Sequence, residues 1–114
     1  MTLEQLQQRI RAFNDERDWG QYHSPRNLAM ALNVEAGELL ELYLWCKDEG
    51  PQPAVPERVP KVADELADIL ILLLNLADKT GVDLLAAAEV KLAKNAAKYP
   101  ASQVSGSMRK YDEY

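Results

Sequence analysis

Two stretches constrain this chain more than any others. Glu35-Ala36-Gly37-Glu38 and Glu65-Leu66-Ala67-Asp68 each place two carboxylates three residues apart inside strongly apolar sequence. On a helix that spacing puts both acids on one face, one turn apart. At ~100° per residue, Leu28, Leu32, Leu39, Leu42 and Cys46 cluster around Glu35, and Val62, Ile69, Leu72 and Leu76 cluster around Glu65. Glu38 and Asp68 fall on the flanks of those stripes. An unpaired carboxylate among leucines is costly, and four acids drawn together repel one another. A divalent cation relieves both penalties, and an all-oxygen donor set favours Mg²⁺ or Mn²⁺ over zinc or copper.

The rest of the composition narrows the chemistry. His23 is the only histidine and lies outside the expected helices, so the glutamate-x-x-histidine pairs of a di-iron bundle are missing. Nor is there a serine or cysteine nucleophile paired with histidine in a recognisable motif. Magnesium held by a few carboxylates keeps waters and binds substrate phosphates, which makes phosphate-ester or anhydride chemistry the natural match. The formal charge of −5 and the lack of a basic stripe argue against nucleic acid as a partner. Cys46 stands alone, which excludes an intrachain disulfide and a cysteine zinc cluster and fits a reducing, cytoplasmic setting. No signal peptide is expected, and the longest greasy run, Ile69 to Leu74, is too short to span a bilayer, so no membrane partner is expected.

With 114 residues, the chain is expected to form a single all-α domain over 1–114. A first helix is predicted from the capping-box sequence Thr2-Leu3-Glu4-Gln5, with Leu3, Leu6, Ile10 and Phe13 on its buried side. The connector from Arg17 to His23 carries Trp19 and Tyr22, which either wall a ligand site or plug the end of a bundle. Ser24-Pro25 predicts the start of a second helix running to Lys47, apolar enough to be buried all round. The proline-rich span Asp48–Val55 is expected to be a hinge or lid, followed by a third helix from between Pro56 and Pro60 to Thr80, with Gly81 closing it. Its apolar circumference suggests a subunit interface. A fourth helix, capped by Asp83, should reach Lys98 before Tyr99-Pro100. Lys91, Asn95 and Lys98 share one face of it, most simply a solvated one. The tail from 101 to 114 is expected to be flexible.

Glu35-x-x-Glu38, 26 intervening residues, and Glu65-x-x-Asp68 resemble the signature of the all-α nucleoside triphosphate pyrophosphohydrolases, the MazG-like group to which the dimeric dUTPases are related. Further segments resemble the dCTP pyrophosphatase subgroup: Glu16-Arg17-Asp18-Trp19, His23-x-Pro25-Arg26-Asn27, Trp45, Lys91-x-x-x-Asn95, Tyr99-Pro100 and Arg109-Lys110-Tyr111. The resemblance implies a four-helix bundle-like fold assembled as an oligomer, a dimer or a tetramer built from dimers. It also implies hydrolysis of a (d)NTP between the α and β phosphates, giving monophosphate and pyrophosphate, in house-cleaning of the nucleotide pool. Carried over by position, Glu35, Glu38, Glu65 and Asp68 would hold Mg²⁺, with Glu38 and Asp68 catalytic and Glu38 the candidate proton acceptor. Trp19, His23 and Trp45 would line the base and sugar pocket. Lys91, Asn95 and Lys98 would meet phosphate charge, Tyr99 would contact substrate, and Arg109 and Lys110 would act across a subunit boundary.

Two positions depart from the subgroup. Ile10 and Leu72 stand where it carries a substrate-contacting histidine and tyrosine, which removes a hydrogen-bonding group and a hydroxyl from the substrate pocket while leaving the metal ligands intact. The alternatives are a helical module that binds nucleotide or a partner without turnover, and a hydrolase of another phosphoanhydride such as dUTP or phosphoribosyl-ATP.

Overall fold

The computed structural model describes residues 1–46, 58–109 and 112–113. Over those residues the protein is all helical, without a strand: α1 (Leu3–Glu16), a 3-10 turn (Gly20–Tyr22), α2 (Pro25–Glu41), α3 (Val59–Thr80), α4 (Leu84–Lys98) and the one-turn α5 (Ala101–Val104). The chain groups into two compact units, Met1–Gly81 and Val82–Tyr114. The span Asp48–Val55, Lys47, Pro56, Lys110 and Tyr111 lie outside the described residues.

The helix boundaries follow from local chemistry. The Thr2 hydroxyl accepts from the Gln5 N–H at 3.1 Å while the Gln5 side chain accepts from the Thr2 N–H at 2.8 Å, the reciprocal box that the sequence predicts. Ser24 caps α2 by accepting from the Asn27 N–H at 3.1 Å, with Pro25 in the first turn, and Asp83 caps α4 through the Ala86 N–H at 3.1 Å. Gly81 ends α3 at φ 70°, a left-handed conformation that glycine adopts without steric cost.

In the first unit α3 is the shared element, with α2 packed extensively along it and α1 packed on it more lightly. Ile10 of α1, Leu28 of α2, and Leu74 and Ala77 of α3 form the buried core, together with the polar Asn75. In the second unit Leu84, Asn95, Pro100, Val104 and Ser107 are half-buried.

The structure corrects four expectations. Helix α2 stops at Glu41, not Lys47, because the amides of Leu42, Tyr43 and Leu44 bond three residues back, tightening its end. The Arg58 guanidinium caps the same end, donating to the Leu42 carbonyl and, at 3.4 Å, to Cys46 Sγ. Nor is α2 buried all round: Met30, Val34 and Leu40 are exposed on the chain taken singly, since the core covers only the Leu28 side. Phe13 is likewise exposed, with the Arg17 guanidinium 3.7 Å above its ring and Trp19 edge-on at 5.5 Å. Finally, the tail opens with a turn of helix, α5, started by Pro100. No helix among the described residues is long and apolar enough to cross a membrane.

Candidate functional site

Packing α2 along α3 brings three of the four signature acids together. Glu35, Glu38 and Glu65 each offer a carboxylate oxygen within 4.8 Å of the others. Glu35 Oε2 and Glu65 Oε2 are buried and lack a hydrogen-bond partner among the described residues, as their places in the apolar stripes predict. Glu38 is exposed at the mouth of the cluster. Contact with the Glu65 carboxyl, then burial, holds the Glu35 carboxyl above its ordinary pKa, and contact with Glu35 does the same for Glu38. Two carboxylates can hydrogen-bond only when one keeps a proton, so the elevation and the unpartnered oxygens describe the same crowding. Asp68, one turn beyond Glu65, is exposed and outside the trio, yet its charge contributes to raising Glu35. Buried acceptors without donors, all oxygen, fit a hard divalent cation.

A cleft of about 600 Å³ opens beside these acids, lined by Glu38, Glu65, Glu41, Trp45, Arg58 and Lys61, among others. Trp45 is 93% exposed and sits at φ 66°, a left-handed backbone that a tryptophan adopts only under strain. Lys61, one helical turn before Glu65, has no ion-pair partner among the described residues. Arg58 and Lys61 escape the sequence reading. For Lys61 the available signal is its four-residue offset from Glu65.

A second cavity, about 430 Å³, is bounded by His23, Asn14, Asn75, Arg11, Asp78 and Lys79, among others. Asn75 is 8% exposed, and its Oδ1 accepts from Asn14 Nδ2 at 2.8 Å. Asp78 receives Gln7 at 2.8 Å and Arg11 at 2.6 and 2.8 Å. The three side chains expected to line one base pocket are thus distributed: Trp45 stands in the acid cleft, His23 in the second cavity, and Trp19 against Phe13. Ile10 is buried and Leu72 half-buried.

The remaining candidates belong to the second unit. Lys91 is exposed and Asn95 half-buried on α4, and Lys98 is the last residue of that helix. Tyr99 and Arg109 line a shallow hollow of about 320 Å³ with Val104, Ser107 and Met108.

Comparison with known proteins converges on one group. The model of the MazG-like family matches residues 30–114. The dCTP pyrophosphatase 1 proteins of Bos taurus and Homo sapiens are each 44% identical over an alignment of 114 positions that covers 98% of this chain and 68% and 67% of those proteins. The Mus musculus protein of the same name is 42% identical over 98% of this chain and 67% of its own length. A pyrophosphatase from Archaeoglobus fulgidus DSM 4304, solved by crystallography, superposes with a TM-score of 0.81 at 37% identity, covering 86% of this chain and 92% of that one.

Proposed function

The chain belongs to the MazG-like family, and from that premise we propose that it is a Mg²⁺-dependent nucleoside triphosphate pyrophosphohydrolase, acting on dCTP or a modified pyrimidine dNTP. The products are the monophosphate and pyrophosphate, and the role is house-cleaning of the nucleotide pool. One observation carries the metal assignment: two buried carboxylate oxygens, Glu35 Oε2 and Glu65 Oε2, face each other's cluster without a donor. Glu35, Glu38 and Glu65 would hold the cation, with Asp68 completing the set. When bound, it supplies charge neutralisation at phosphoryl oxygens and acidifies a bound water.

The chain's own groups account for the rest. Glu38, exposed at the cluster's mouth, takes the proton of the attacking water. Asp68 adds negative charge that keeps the cation in place. Lys61 and Arg58, on the same cleft as Glu65, meet the charge of the bound β and γ phosphates. Trp45 offers an apolar face to the base or sugar, and Trp19 and His23 are carried by the resemblance as further pocket residues. Lys91, Asn95, Lys98, Tyr99, Arg109 and Lys110 are carried the same way as substrate contacts.

The proposal includes a homo-oligomer, a tetramer built from dimers, of single-domain chains in the cytoplasm. Exposed rows such as Met30 and Val34 on α2 and Leu66 and Leu70 on α3 support self-association, since a second copy would cover them. Sedimentation velocity reads the assembly directly: a monomer at micromolar concentration contradicts it.

The test of function is pyrophosphate release from a panel of canonical and modified dNTPs, with Mg²⁺ and with EDTA. Release that needs Mg²⁺ and favours a cytosine or modified pyrimidine base is expected. Orthophosphate as the sole primary product contradicts the proposed bond cleavage, and tight nucleotide binding without turnover favours a non-catalytic module.

A further inference from the structure

Asn75 is the one buried polar side chain among the described residues, and it faces a cavity without using its full hydrogen-bonding capacity. Its Oδ1 is engaged by Asn14 Nδ2 at 2.8 Å, while the Asn75 amide nitrogen and the Asn14 carbonyl oxygen have no partner among the described residues. Whichever way the two amides are turned, the pair uses one donor and one acceptor and leaves an NH₂ group on one residue and a carbonyl on the other. Arg11 and Asp78 on the same cavity are tied to each other and cannot supply that function. Only Glu35 Oε2 and Glu65 Oε2 are sealed off without a partner among the described residues, so the open amide groups of this pair face the cavity and are free to bind something that enters it.

Position says what that something is. Asn75 lies ten residues after Glu65 and seven after Asp68 on α3, about 15 Å and about 10 Å along the helix axis, and only ~20° round from Asp68. A nucleotide with its phosphates at the acids and its sugar running along α3 carries its base to this distance. The Watson–Crick edge of every nucleobase presents a donor next to an acceptor, the complement of what the amide pair leaves open. His23 lies on the same cavity and supplies a further polar wall.

We propose that Asn75, oriented by Asn14, hydrogen-bonds the edge of the substrate's nucleobase in the cavity lined by α1 and α3. This rests on the reading of the acid cleft as a nucleoside triphosphate site. Asn75 is then a base-binding contact, and Asn14 a positioning residue that fixes the Asn75 amide.

The experiment compares dCTP with 2-deoxyribose 5-triphosphate, which has the same phosphates and sugar but no base, on wild type, Asn75→Leu and Asn14→Ala. Asn75→Leu should lower kcat/KM for dCTP at least 10-fold, chiefly through KM, and leave the baseless triphosphate within about 2-fold. Asn14→Ala, at a half-buried position, should lower dCTP about 3- to 10-fold with the same selectivity, and it carries the test if Asn75→Leu does not fold. Equal losses on both substrates, or none on either, overturn the proposal, because a purely structural clamp between α1 and α3 cannot distinguish a substrate with a base from one without. Equilibrium binding of dCMP and of 2-deoxyribose 5-phosphate in EDTA is measured on the same proteins. If wild type turns over no triphosphate, the cleft reading fails separately, and a selective loss of dCMP binding in Asn75→Leu still supports the base contact, while an unchanged dCMP affinity overturns it.

Discussion

The acid cleft and the amide cavity are built by the same helix and solve opposite problems. At one place α3 sets Glu65 against Glu35 and Glu38 of α2, like groups whose buried oxygens have no donor. Further along, it sets Asn75 against Asn14 of α1, complementary groups that bond at 2.8 Å and keep an NH₂ group and a carbonyl spare. The first arrangement sets like groups in conflict in the bare chain, and on the proposed reading a cation relieves that conflict. The second is stable as it stands and has hydrogen-bonding capacity in reserve. A region that the protein leaves in conflict marks where charge must be supplied from outside, whereas one that is internally settled marks where shape and hydrogen bonding discriminate.

The comparison breaks most sharply if the two regions can be disabled separately. Glu38→Gln or Glu65→Gln should lower kcat/KM for dNTP hydrolysis on the order of 10³-fold, about 4 kcal/mol of transition-state stabilisation. The folded state should persist by circular dichroism. Conversely, a core change should lower the stability of the fold that carries both regions without altering either one. Leu74, 1% exposed and next to Asn75, leaves a cavity when cut back. Leu74→Ala should cost ~2–5 kcal/mol in chemical denaturation, with activity per folded molecule changing little.

Smaller effects sharpen the division within the cleft. Lys61→Ala should raise KM about 3- to 10-fold with little change in kcat if its charge serves the bound phosphates uniformly, and steady-state kinetics in dNTP separates the two constants. Weaker still is a pH effect in the metal-free protein. Because Glu38 is held above its ordinary 4.5 in the folded chain, the unfolded chain releases that proton first as pH rises. The folded state therefore loses stability, relative to a variant without the group, as pH climbs from about 4.5 through the raised value. In EDTA the Tm of Glu38→Gln minus that of wild type should grow over that interval and then level off. A flat difference contradicts the crowding of the trio.

What could be read from the sequence was what depends on neighbours along the chain. The Thr2, Ser24 and Asp83 caps, the Gly81 terminus and the apolar stripes around Glu35 and Glu65 are all set within one or two turns. The end of α2 was not legible, because the apolar pattern runs on through Leu42 and Cys46 while the group that caps it, Arg58, comes from the far side of a proline-rich span. The Asn14–Asn75 pair joins residues 61 apart, and nothing local to Asn14 distinguishes it from a solvated surface residue. Similarly, the wheels put Asp68 and Glu38 on equivalent flanks, yet only Glu38 comes within the trio, since inter-helix offset decides which flank acid reaches across. The exposed faces of α2 are hidden from the sequence for a related reason: apolar residues count as core only if something in the chain covers them.

The claim on which everything else depends is that Glu35, Glu38 and Glu65 form a divalent-cation site. Titration calorimetry with MgCl₂ on the nucleotide-free protein, for wild type and for Glu35→Gln and Glu65→Gln, measures it without reference to turnover. A saturable Mg²⁺ isotherm in wild type, weakened at least 10-fold in either variant while each remains folded, is the predicted result. Mg²⁺ affinity that is the same in all three proteins contradicts it.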